Sequence, residues 1–343
     1  MWIKLMVEYK EIALTEREIK EAEGAAQNNA FDKMPSFLVE LFIRLKIKTM
    51  RKSAMNIRLP DVEIRNKIVK TEHCVNADKG DVSIYFYRRE NMQKQAPLMY
   101  FIHGGGFVGG TYLANENFCK RLADMYDVVC ASAEYHLAPE VRFPYALREC
   151  ELGLLALLEN AETSRFINKN QVYVAGDSAG GNLAATTALS LKNRRNFTPA
   201  GQILYYPVTE MKEMSTNSYA RPGPENSRML KMLKITRKLY ASKKSDYGNF
   251  YFSPLLSTKQ DDPNPTPALI LLAERDGLLD DGILYAKHLA SLGGEARCVV
   301  YKGAFHSFLN GLGDSLIADD SFSEVASFMG LLHASDLQGG FPK

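Results

Sequence analysis

No Cys-x-x-Cys pair occurs among the five cysteines of this 343-residue chain, and an odd count without that spacing supports neither a disulfide framework nor a zinc site. The expectation is buried thiols in a reducing compartment. A long apolar run is also missing. The opening Met1-Trp2-Ile3-Lys4-Leu5-Met6-Val7-Glu8 is short and broken early by charge, which fits neither a signal peptide nor a membrane span, so a cytoplasmic location is expected. Charge of one sign is absent too: a formal net charge of +2 gives no case for nucleic acid or another strongly acidic partner. There is no internal repeat and no low-complexity tract. Neither a Walker lysine nor Gly-x-Gly-x-x-Gly with its acidic partner is present, and nothing calls for a cofactor or a metal.

Gly176-Asp177-Ser178-Ala179-Gly180 is a Gly-x-Ser-x-Gly pentapeptide directly after the β-branched run Gln171-Val172-Tyr173-Val174-Ala175. A serine between a strand and a helix must turn sharply, and only small neighbours tolerate such a turn. The turn lifts the hydroxyl over the sheet edge and aims the next helix at it, so that the Ala179 amide can serve an oxyanion. Alone, the pentapeptide fits an ordinary strand-helix turn equally well. Upstream, His103-Gly104-Gly105-Gly106-Phe107 follows the strand candidate Leu98-Met99-Tyr100-Phe101-Ile102. Three glycines in a row are costly in backbone entropy, and close approach of amides to a ligand would justify them, with Gly105 and Gly106 completing an oxyanion hole. The bland alternative is a flexible loop.

A serine nucleophile needs a base, and the base an orienting acid. Of six histidines, His103 belongs to the glycine loop, His73 to an early strand, His288 and His333 to helical-period segments, and His136 to a turn before the serine. His306, in a loop after the strand Ala296-Arg297-Cys298-Val299-Val300-Tyr301, follows the serine as the chain order serine, acid, histidine requires. The buried-strand pattern Ala268-Leu269-Ile270-Leu271-Leu272-Ala273 leads into Glu274-Arg275-Asp276-Gly277 and makes Asp276 the acid, with Glu274, Asp280 and Asp281 as its rivals. Asp280 and Asp281 have an adequate role as first-turn helix carboxylates. Asp177, adjacent to Ser178 at a sharp turn, points away from it and reads as structural.

In this order, the His103 glycine loop, Tyr135-His136-Leu137-Ala138-Pro139-Glu140, the Gly176–Gly181 elbow, Ser253-Pro254-Leu255 and the Asp276 and His306 pair resemble the hormone-sensitive-lipase-like esterases of the α/β-hydrolase fold, in their bacterial branch. The resemblance covers roughly residues 70 to 335. It implies a Ser178 nucleophile, a His306 base, an Asp276 orienter and an oxyanion hole from Gly105, Gly106 and Ala179. It also implies a small-molecule ester substrate and a serine carboxylesterase activity. An amidase, an acetyl-sugar deacetylase and a membrane-associated lipase are the alternatives on the same fold. Plant gibberellin receptors resemble this family but lack the histidine that His306 supplies here. Departures are small: Gly277-Leu278 stands where the acid motif usually continues Pro-Leu, and Glu210 where an Asp is common, which bears on how a cap is anchored.

Strand candidates at 68–76, 81–88, 97–102, 128–133, 171–175, 201–206, 268–273 and 296–302, with helical stretches between the later ones, describe an α/β chain with a mostly parallel eight-stranded sheet flanked by helices. Residues 1–60 read as a helical cap segment, with a capping box at Thr15-Glu16-Arg17-Glu18 and a second helix starting near Pro35-Ser36. Residues 61–343 read as the core, interrupted at about 208–250 by an insertion with a helix from Asn226 to Ala241 that completes the cap. The Pro35 helix carries Phe37, Leu38, Leu41, Phe42 and Leu45 with Arg44, Lys46, Lys48, Arg51 and Lys52. Its apolar residues are expected to cover the active-site mouth and its basic ones to be solvated, rather than to lie on a membrane. Phe107, Tyr112, Phe305 and Phe308, nearest the motifs, are the expected pocket lining, and the oligomeric state stays open, a homodimer included.

Overall fold

The structure, a computed structural model, describes residues 5–16, 20, 30–54, 61–221 and 224–331. Arg17 and Glu18 of the expected capping box, Pro222 and Gly223 of the insertion, and His333 lie outside the described residues. The strands are β1 (Leu5–Lys10), β2 (Ile68–Ala77), β3 (Gly80–Arg89), β4 (Ala96–Ile102), β5 (Val129–Glu134), β6 (Ile167–Asp177), β7 (Gly201–Tyr205), β8 (Ala268–Arg275) and β9 (Ala296–Phe305). The main helices are α1 (Ser36–Ala54), α2 (Leu113–Met125), α3 (Tyr145–Glu159), α4 (Ala179–Arg195), α5 (Pro224–Tyr240), α6 (Leu279–Ser291) and α7 (Leu316–Phe328).

The strands form one sheet in the order β1-β9-β8-β7-β6-β4-β5-β3-β2, parallel except where β3 pairs with β2 and β5. Parallel strands buried on both faces must be apolar throughout, and Leu269-Ile270-Leu271-Leu272 of β8 is fully enclosed. Successive side chains feed two cores. Leu98, Tyr100 and Ile102 face α3, α4 and α6, whereas Met99 and Phe101 face Phe118 and Leu122 of α2 and Phe322 and Val325 of α7. Fully burying side chains of this size contributes roughly 1.5–3 kcal/mol each. The C-terminal ends of β4, β6, β8 and β9 carry the His103 loop, Ser178, Asp276 and His306, the edge where open α/β sheets place their ligands.

Three expectations are corrected. The sheet has nine strands among the described residues, because Leu5–Lys10 extends it by pairing in parallel with β9, from Leu5 opposite Ala296 to Lys10 opposite Tyr301. Residues 1–60 are thus not solely a helical segment. A six-residue edge strand needs a distant partner, and its ladder, together with Lys10 held by Asp320 and Glu324 of α7, supplies the ordering. The second correction concerns α1. Its inner face is Val39, Ile43 and Ile47, packed on Ile235 and Leu239 of α5, while Phe37, Leu38, Leu41, Phe42 and Leu45 are exposed. Finally, Cys74 is exposed on β2, whereas Cys119, Cys130, Cys150 and Cys298 are buried.

Candidate active site

Ser178 directly follows β6 with φ 55° and ψ −117°, a conformation that most residues avoid. The elbow is held from below. The Ser178 amide donates to Tyr205 O at 2.9 Å, and the Ser178 carbonyl accepts from Asn182 N and Val208 N. Both flanking glycines are obligatory by contact: a Cβ on Gly176 would sit 2.3 Å from Gly180 O, and one on Gly180 would sit 2.1 Å from Ile102 O. These distances allow α4 to start immediately at Ala179, its N-terminal dipole end beside the hydroxyl.

His306 lies in the loop after β9, and its Nε2 is 3.1 Å from Ser178 Oγ. Its Nδ1 is 2.6 Å from Oδ2 of Asp276, which is buried just beyond β8 and whose Oδ1 accepts from the Leu278 amide at 2.9 Å. With both carboxylate oxygens engaged, the acid is fixed in orientation and fixes the imidazole. Burial alone would lower the His306 pKa, but the charge and hydrogen bond of Asp276, aided by the charge of Asp177, outweigh it and hold the imidazole above its ordinary 6.5.

The glycine loop closes the other side. Gly105 and Gly106 have φ of +115° and +64°, and a Cβ on Gly105 would lie 2.3 Å from Gly109 O. The Gly104 amide donates to Asp177 Oδ1 at 2.8 Å, so the residue next to the serine ties the elbow to this loop. Behind it, Tyr135 OH donates to His103 O at 2.9 Å and the two rings stack at 4.3 Å. Among the described residues the Gly105, Gly106 and Ala179 amides donate to no protein acceptor. Three open amides beside a serine hydroxyl suit a developing oxyanion.

The rival residues have other partners. Glu274 accepts from Gly303 N, and His288 bonds Ser257 Oγ, its pKa lowered by burial. His136 bonds Glu149, while His73 sits in β2 beside Thr71. Asp280 and Asp281 stand in the first turn of α6 but reach across to the insertion. Asp280 accepts from Ser218 N at 2.7 Å. Asp281, fully buried, accepts from Thr209 N, Glu210 N and Tyr219 OH, and burial pushes its carboxyl up to about 7. Glu210 in turn accepts from the amides of Lys212, Glu213 and Met214. Asp280 and Asp281 thus brace the insertion, a role that helix-start chemistry alone did not indicate.

The four aromatic residues expected to line a pocket are not gathered into one lining. Tyr112 stacks on Tyr85 at 3.6 Å and accepts from Lys70, away at the β3 side of the sheet. Phe107 is enclosed and stacks on Tyr240 of α5 at 4.1 Å. Phe308 packs against Tyr205 and Tyr206, with Tyr206 between it and the His306 ring, and the Phe305 ring faces the Arg275 guanidinium. The nearest groups above the two loops come from α5 instead. A Cβ on Gly106 would lie 3.2 Å from Thr236 Cγ2, and one on Gly277 would lie 3.1 Å from Met229 Cγ. Arg51 of α1 adds a tie, donating to Val108 O at 2.8 Å and Ala138 O at 2.6 Å.

No helix among the described residues is long and apolar enough to cross a membrane, and no cluster among them has the makings of a metal site. The sequence pattern of the α/β hydrolase fold matches residues 99–310. An ethyl acetate hydrolase of Pseudomonas putida is 35% identical over 215 residues, 62% of this chain and 66% of that protein, so the match spans just under two thirds of that relative. A hyperthermophilic esterase of the archaeon Pyrobaculum calidifontis superposes with a TM-score of 0.74 at 28% identity, covering 93% of this chain and 98% of that one. A fungal esterase of Rhizomucor miehei gives 0.74 at 26% identity, covering 93% and 96%. With its elbow, its glycine loop and a family match over more than half its length, the chain belongs to the hormone-sensitive-lipase-like branch of the α/β-hydrolase-fold family.

Proposed function

We propose that the protein is a serine carboxylesterase acting on short-chain acyl esters of small molecules. The observation that carries this reading is the continuous relay from Ser178 through His306 to Asp276, at 3.1 Å and 2.6 Å, beside three open amides. His306 removes the Ser178 proton as Oγ attacks the ester carbonyl, and the amides of Gly105, Gly106 and Ala179 hold the oxyanion. The alcohol leaves with the proton from His306. Water, deprotonated by His306, then attacks the acyl-enzyme and releases the acid. That relatives of similar fold are named as esterases, one of them for ethyl acetate, supports the ester class and a short acyl group.

As base, His306 must be neutral. Its pKa is raised, so protonation on acidification begins early, and kcat/KM should fall as pH drops with a midpoint above about 6.5. A pH–rate profile checks this. A plateau continuing unchanged to about pH 5 would be incompatible with a histidine base.

In this reading α1 and α5 form the cap, and α5 roofs the acyl site. Met229 meets the acid loop and Thr236 the glycine loop, and the buried Leu233 lies on the same helical face between them. Under such a roof we expect a preference for acyl chains of roughly two to six carbons. Leu233→Ala should move the preference toward longer chains, each newly housed methylene contributing about 0.8 kcal/mol, roughly a fourfold gain in relative kcat/KM. A series of p-nitrophenyl esters tests it, and an unchanged chain-length profile would place the acyl chain elsewhere.

A further inference from the structure

α1 is apolar on two opposite sides. Val39, Ile43 and Ile47 pack on α5, and half a turn away Phe37, Leu38, Leu41 and Leu45 form a second stripe at helical spacing. That stripe is open: Phe37 is 68% exposed, Leu41 50% and Leu45 72%. Single exposed apolar residues are ordinary, but four aligned on one helix face are not.

The charge around the stripe is as uneven. The segments of α1 and α5 together carry a net charge of +8 in a chain whose total is +2, leaving the rest of the protein at −6. Lys46 and Lys48 of α1 and Lys234 and Lys238 of α5 are exposed, Lys48 at the helical position of the stripe, while Glu40 is taken by Arg44 and Lys238 and the bases Arg51 and Arg228 pair with Glu140 and Asp32. A second copy of this face would meet like charge, which disfavours self-association through it. An anionic, apolar surface satisfies both features at once.

We propose that the outer face of α1, flanked by α5, docks the protein peripherally onto an anionic lipid bilayer, with Phe37, Leu38, Leu41 and Leu45 entering the headgroup boundary and the lysines meeting lipid phosphates. The helix lies in the interface plane and does not span the membrane. Its inner side holds Arg51, bonded to the carbonyls of Val108 and Ala138 beside the glycine loop, so the docked face and the candidate active site share one helix. Lipid docking depends on this surface alone and not on the reaction proposed above.

The test is co-sedimentation of the full-length protein with vesicles of phosphatidylcholine, alone or with about three tenths phosphatidylglycerol, in about 0.1 M salt. The mixed vesicles should bind it about tenfold or more tightly than the neutral ones, and raising salt to about 0.5 M should release it. The pairs Leu41→Asp with Leu45→Asp, and separately Lys46→Glu with Lys48→Glu, should each cut vesicle binding about tenfold or more while kcat/KM on a dissolved short ester stays unchanged, which shows that the variants fold. Two results overturn the proposal: wild-type protein that stays in solution with the mixed vesicles, or binding that ignores lipid charge and salt. A third is sedimentation equilibrium showing a dimer that the Leu41 and Leu45 pair dissolves, which would assign the face to a second copy.

Discussion

Ser178→Ala and His306→Ala should each lower kcat for ester hydrolysis by on the order of 10⁵- to 10⁶-fold, about 7–8 kcal/mol of transition-state stabilisation, and the double variant should be scarcely worse than either single one. Without Oγ there is no acyl-enzyme, and without the imbidazole's Nε2, 3.1 Å away, the hydroxyl keeps its proton. Residues acting as one unit cannot be removed twice. A residual rate above that in water persists, because the three amides still hold a bound ester in place. Both substitutions leave the fold intact: Ser178 and His306 lie at the ends of β6 and β9, and neither side chain supports the two cores. Steady-state kinetics on p-nitrophenyl acetate with a thermal melt of each variant checks both halves. Multiplicative losses in the double variant would mean that the two side chains work independently.

Asp276→Asn should cost about 10⁴-fold in kcat, through geometry rather than bulk. The carboxylate takes the Leu278 amide on Oδ1 and His306 Nδ1 on Oδ2, so an amide of the same shape can present NH₂ to Nδ1 and trap the wrong tautomer. The same change removes the charge that holds the imidazole above its ordinary range, so the remaining activity should lose its acid limb at lower pH than the wild type. The two readouts separate orientation from general damage, since a merely destabilised protein would not shift its pH profile. Asp280→Asn is the control. Its carboxylate holds Ser218 N and Arg221 in the insertion, and it should leave the profile in place.

Much of this site was legible in the chain because its parts answer to local constraints. Gly176 and Gly180 stand where any Cβ would collide with the backbone, and three glycines in succession after β4 have no economical use except close approach of amides. His306 and Asp276 were reachable by chain order and by their position just beyond two buried strands. The β1 strand was not, because its ladder partner, β9, lies far along the chain, and six residues carry too weak a pattern alone. Orientation of α1 was ambiguous for a different reason. Apolar residues occur on both of its sides, and only Ile235 and Leu239 of α5 decide that the β-branched stripe Val39-Ile43-Ile47 turns inward. Tyr112 shows why closeness in sequence to a motif does not aim a ring at it: it leaves with the start of α2 toward Tyr85. Asp281 read as a helix-start carboxylate, although its partners belong to residues 209–219.

Trapping the covalent intermediate tests the central claim most directly. Rapid acid quench of the enzyme during turnover of p-nitrophenyl acetate, followed by peptide mass mapping, should find one acetyl group on the peptide carrying Gly176–Gly181, located on Ser178, and none in Ser178→Ala. An acetyl group on another residue that turns over at the catalytic rate, or full activity with no acyl-enzyme and an unaffected Ser178→Ala variant, would contradict the account.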